Sequence, residues 1–95
     1  MTREILLVDD TISQSQAFKD DSLAKGYSVT IVDNAATAIE IVSKAYYNLV
    51  ILNCNTKDVK GVGTFQEIKT ISSRSTVIFT TGLDAANLKM EQLKE

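Results

Sequence analysis

Histidine is absent from this chain and cysteine occurs once, as Cys54, in 95 residues. Without imidazole, a zinc enzyme or a histidine-based catalytic triad has no basis. A lone cysteine excludes an internal disulfide and any multi-cysteine zinc cluster, and fits a reducing cytoplasm. No apolar run approaches the roughly 20 residues needed to span a bilayer. Met1-Thr2-Arg3-Glu4 leads into a four-residue apolar strand that ends in two acids, which is no signal peptide. There is no basic excess either: 10 Lys and Arg stand against 12 Asp and Glu, a net charge of −2. Non-specific nucleic-acid binding therefore lacks electrostatic support. Repeats, low-complexity tracts and linkers are also absent. The expectation is a cytoplasmic protein with no nucleic-acid or membrane partner.

What is present suits one globular domain over residues 1–95, with 44% apolar and 23% charged residues. A domain this short buries only about 60% of its unfolded surface, so its stability margin is small.

Ile5-Leu6-Leu7-Val8 is a continuous apolar run of the kind found in strands covered on both faces. Asp9-Asp10-Thr11 stops it and offers N-caps. Residues 12 to about 25 read as a helix with Ile12, Ala17, Phe18 and Leu23 as apolar points, and Gly26 ends it. Tyr27 to Val32 alternates apolar and polar positions, as an edge strand does. Asp33-Asn34 breaks that pattern. Ala35 to Ala45 then reads as a second helix through Ala38, Ile39, Val42 and Ala45, with Asn48 capping its exit.

Leu49-Val50-Ile51-Leu52 is a second fully apolar strand, followed by a polar loop from Asn53 through Gly63. Thr64 to about Ser72 forms a third helix with Phe65, Ile68 and Ile71 on one side. Thr76 to Thr80 is a fourth strand, Thr81-Gly82 turns the chain, and Leu83 begins a fourth helix carrying Leu88, Met90 and Leu93. The order βαβαβαβα implies a three-layer α/β/α fold around a parallel sheet. Ligands bind such sheets beyond the carboxyl ends of the strands, where strand order reverses. Asp9, Asp10, Asn53, Asn55, Thr80 and Thr81 converge there, with Asp33 more peripheral.

Three segments in register resemble bacterial response-regulator receiver domains. Ile5 through Asp10 resembles their opening strand, and Leu49 through Gly61 their phosphorylation-site strand and loop. Val77-Ile78-Phe79-Thr80-Thr81-Gly82 resembles the strand that ends in their switch threonine. The resemblance implies a flavodoxin-like receiver fold with sheet order 2-1-3-4, lacking the fifth strand and fifth helix of the family. It implies that Asp9 and Asp10 are the acidic pair that helps hold a magnesium ion, and that the main-chain carbonyl of Asn55 faces the same metal. Thr81 matches the hydroxyl that signals a bound phosphoryl group. Gly61 matches the turn glycine after the site loop.

Asn53 falls where the family has its phosphoacceptor aspartate. A carboxylate oxygen attacks phosphorus and holds the phosphoryl group as an acyl phosphate. An amide oxygen carries no full charge. Lys57 also stands where the family usually has a proline, and the active-site lysine of the fifth strand has no counterpart. Magnesium binding is expected to be weak or vestigial, since only two of the usual carboxylates remain. The leading expectation is a non-catalytic signal-transduction module that works through protein partners, a histidine kinase or an output protein. The alternative is a phosphorelay receiver, phosphorylated on aspartate by a histidine kinase, in a substituted and shortened form. A carboxylate phosphatase of another α/β family would want a second acid two residues after its nucleophile. Position 11 is Thr11, which argues against it.

Three other features have plainer explanations. Cys54 reads as a small buried apolar residue. Gly61-Val62-Gly63 lacks the third glycine of a dinucleotide fingerprint and reads as loop. Tyr46-Tyr47 reads as packing plus surface. Without a fifth strand, the fourth would be an uncovered edge and the first helix partly bare. Self-association through either is expected.

Overall fold

The two fully apolar runs lie side by side at the centre of a sheet. This is a computed structural model, which describes residues 3–9, 12–53 and 62–80. The strands are β1 (Arg3–Val8), β2 (Tyr27–Val32), β3 (Leu49–Asn53) and β4 (Thr76–Thr80). The helices are α1 (Ile12–Ala24), α2 (Ala35–Val42) and α3 (Val62–Ile71). All strand pairs are parallel and the sheet order is β2-β1-β3-β4.

Central position explains why β1 and β3 are apolar at every step from Ile5 to Val8 and from Leu49 to Leu52. Alternate side chains face opposite sides of the sheet, and both sides are covered. Ile5, Leu7, Leu49 and Ile51 join Tyr27, Val29 and Phe18 of α1 in one core. Leu6, Val8, Val50 and Leu52 join Val32 and Val77, Ala38 and Val42 of α2, and Ile68 of α3 in the other. The three-layer arrangement follows. β2 is an edge strand, and its alternating sequence gives alternating burial over its first four residues.

Local chemistry sets several boundaries. Gly26 follows α1 with a φ of 92°, a left-handed turn that glycine adopts without strain. Asn34 caps α2 by accepting the Thr37 N–H on its Oδ1 at 2.8 Å.

Four expectations need correction. First, α2 stops at Val42, not Ala45. Ser43 is its C-cap, and the Ser43 hydroxyl donates to the Glu40 carbonyl at 2.6 Å. The apolar spacing runs on to Ala45, but the chain must leave the helix there to enter β3.

Second, Asn48 caps no helix. Its N–H donates to the Glu4 carbonyl and its Oδ1 accepts the Glu4 N–H, both at 2.8 Å. Its own carbonyl accepts the Thr76 N–H at 3.0 Å. It thus extends the ladders of β1 and β4 one step before β3 begins.

Third, Ala17, Leu23 and Ile71 are exposed, Leu23 at 64%. Among the described side chains of α1, the buried ones are Phe18 and Ser22, one turn apart. Fourth, α3 begins at Val62, so Val62 and Gly63 belong to a helical first turn and not to the loop.

Tyr47 packs against the core while Tyr46 is exposed. The fourth helix, expected from Leu83, lies outside the described residues.

Candidate functional site

In a parallel sheet, every strand delivers its last residue to the same edge. β1 lies between β2 and β3, so the chain leaves β1 to one side and returns on the other. The crevice at that reversal opens between the ends of β1 and β3.

Asp9 follows Val8 at the end of β1. Its N–H donates to the Val32 carbonyl at 2.9 Å, which carries the β1–β2 ladder one residue past the strand and fixes the backbone there. Val8 is level with Leu52, so Asp9 and Asn53 stand at the next rung on neighbouring strands, about 4.8 Å apart in strand spacing. Asn53 is level with Thr80 of β4. Asp9, Asn53 and Thr80 therefore form one row across three strands.

Asp9 and Asn53 are 1% and 4% exposed. A carboxyl so deeply placed requires polar compensation, whereas a carboxamide carries no net charge to compensate. Asp33 is on the rim instead: exposed, and accepting a 2.7 Å hydrogen bond from the Asn34 amide. Asp10, Cys54, Asn55, Lys57, Gly61 and Thr81 lie outside the described residues. Of the residues singled out for this site, the structure brings together Asp9, Asn53 and, by backbone register, Thr80, and it leaves Asp33 peripheral.

Among the described residues, no three acidic, cysteine or histidine side chains cluster as a metal site. The buried Asp9 carboxyl and the Asn53 carboxamide oxygen are hard donors, the type that magnesium takes. As an amide, Asn53 can donate and accept hydrogen bonds, but it offers no anionic oxygen for attack.

Residues 5–95 match the family described as the response regulator receiver domain. The chain belongs to that family. Within it, the chain is 30% identical over 91 residues to the transcriptional regulatory protein ZraR of Klebsiella oxytoca, covering 96% of this chain and 20% of that protein. The chain thus spans about a fifth of the length of the curated relatives it matches. A CheY-like receiver domain from Methanospirillum hungatei JF-1 superposes with a TM-score of 0.77 at 20% identity, covering 83% of this chain and 63% of its own. The receiver domain of sensor histidine kinase PA1611 from Pseudomonas aeruginosa PAO1, solved with magnesium in its active site cleft, gives 0.73 at 23% identity. It covers 83% of this chain and 66% of its own. The parallel sheet and its order agree with this receiver fold, and the chain is a receiver domain of two-component signalling. Among the described residues, no helix is long and apolar enough to cross a membrane.

Proposed function

We propose that this receiver domain is a pseudo-receiver: it takes no phosphoryl group at position 53 and acts by binding protein partners. The observation that carries the reading is Asn53 at the end of β3, buried beside Asp9 at the reversal of strand order. A neutral amide there removes the nucleophile on which aspartyl phosphorylation depends. In a receiver, the phosphoryl group biases a pre-existing equilibrium between two conformations. Without an acceptor, that balance is set by the sequence and by whichever partner binds.

Asp9 and Asp10, with the main-chain carbonyl of Asn55, are the residues that would hold magnesium. When bound, the ion would neutralise anionic oxygens at this edge. Its affinity is weak because position 53 contributes no charge. The partners are a histidine kinase or an output protein, the compartment is the cytoplasm, and the domain performs no catalysis of its own. Leu23 and Phe79, exposed on α1 and on the β4 edge, support self-association through those surfaces.

The retained acid at position 9 favours one rival reading, in which the parent protein is an active phosphorelay receiver and position 53 carries a silencing substitution. A small-molecule phosphodonor with magnesium, followed by intact-mass spectrometry, tests the proposal. The native chain is expected to gain no phosphoryl group, and acquisition of one at Asn53 would overturn the pseudo-receiver reading. Uptake by Asn53→Asp, with none by the native chain, would trace the silencing to that one side chain.

A further inference from the structure

The loops that follow α2 and α3 lead into β3 and β4, so they gather at the amino edge of the sheet. A five-residue strand separates this edge from Asp9 and Asn53, a distance of about 17 Å. Between the two loops lies a cleft of ≈ 360 Å³. Val42 and Ile71 contribute apolar surface, Tyr46 an aromatic ring, and Lys44 and Arg74 positive charge. No acidic residue lines it, although the chain as a whole carries −2. Tyr46 and Ile71 are 51% and 40% exposed, two of the four large apolar residues that the described part of the chain leaves in solvent.

The walls are held in place. Ser75, buried at 1%, donates to the Tyr47 carbonyl at 2.6 Å and shares a 2.6 Å hydrogen bond with Ser72. Lys69 reaches the carbonyls of Ser73 and Ser75 at 3.1 and 2.7 Å. The Tyr46 hydroxyl donates to the Arg74 carbonyl at 3.3 Å, and the Arg74 guanidinium lies 6.0 Å from the Tyr46 ring centre.

Cations near helix C-termini often serve to neutralise terminal carbonyls. Here local donors meet much of that need at α2 and part of it at α3. The carbonyls of Ile39 and Ile41 accept N–H groups from Ser43, Lys44 and Ala45, Glu40 accepts the Ser43 hydroxyl, and Ile68 accepts the Ser72 N–H. Lys44 pairs with Glu40 at 3.1 Å, but both side chains are largely in solvent, where such pairs are weak. Arg74 makes no ion pair with a carboxylate among the described residues. Its planar fork, 6.0 Å from the Tyr46 ring centre, is suited to a carboxylate.

We infer that the cleft between the C-terminal ends of α2 and α3 docks a short acidic segment of a protein partner. An apolar side chain of that segment enters against Val42, Ile71 and Tyr46, and its neighbouring carboxylate meets Arg74. Charge complementarity selects an anionic occupant. The apolar surface selects a peptide over a bare anion, and the overall negative charge disfavours nucleic acid. The site is independent of the chemistry at Asn53.

The probe is an acetylated, amidated tetrapeptide with leucine and phenylalanine between two aspartates, titrated into the ¹⁵N-labelled chain. Saturable amide shifts confined to residues 43–46 and 71–75 are expected. Arg74→Gln should weaken binding about tenfold, and Ile71→Ser, at an exposed position, should weaken it without unfolding the domain. Lys19→Gln removes a cation on α1 and should change nothing. Absence of saturable shifts, an equal response to inorganic phosphate or to a lysine-substituted peptide, or equal loss with Lys19→Gln would overturn the inference.

Discussion

The two faces of the sheet are built differently although the same strands supply both. On one face, α2 and α3 deliver Ala38, Val42 and Ile68 onto Leu6, Val8, Val50, Leu52 and Val77. On the other, Phe18 is the one buried apolar side chain of α1 among those described, set over Ile5, Leu7, Tyr27, Val29, Leu49 and Ile51. A serine, Ser22, occupies the next turn of α1 at full burial. Among the described residues, two helices share the load on the first face, while one ring from α1 carries it on the second. Among the described residues, redundancy of packing therefore differs between faces of one sheet, and so should sensitivity to mutation there.

Truncating the ring tests this most severely. Phe18→Ala should cost about 4 kcal/mol, measured by urea denaturation, because it removes a whole buried ring from the core. Ile68→Ala, on the shared face, should cost about 3 kcal/mol. If the order of these two losses were reversed, the asymmetry between the faces would be wrong. Ser75→Ala should cost about 1–2 kcal/mol by leaving the partly buried Tyr47 carbonyl without its donor. Asn34→Ala should cost about 1 kcal/mol through loss of the α2 cap, read as a lower midpoint with an unchanged slope. Leu23→Ser should change stability by less than about 0.5 kcal/mol, since that side chain is already in solvent. A larger loss in the Leu23→Ser variant, growing with protein concentration, would instead mean that α1 is covered in an associated state.

Much of this was legible in the sequence because it depends on local pattern. Ile5 to Val8 and Leu49 to Leu52 could only be central strands, since nothing polar interrupts them and sheet side chains alternate between faces. The acid after β1 and the amide ending β3 were visible as residues, and parallel topology alone brings strand ends to one edge. Apart from the exact bounds of α2 and α3, the errors fall where a residue answers to a distant partner. Asn48 looks like a helix cap, yet it bonds Glu4, 44 positions away. Leu23 and Ile71 fit a helical apolar spacing, yet the sheet they should face is already filled by Phe18 and Ile68. The amino-edge cleft gave no signal, because Tyr46 and Arg74 are 28 residues apart.

Composition and periodicity by themselves dictated the alternation of strands and helices, the parallel sheet, and the neutral side chain at position 53, because each is a property of neighbouring residues or of residue identity. Which side chains are actually shielded, and how Lys44, Tyr46, Ile71 and Arg74 come to share a cleft, were decided only by the folded chain. Those outcomes depend on long-range contacts competing for the same space, and local spacing carries no record of who wins that competition.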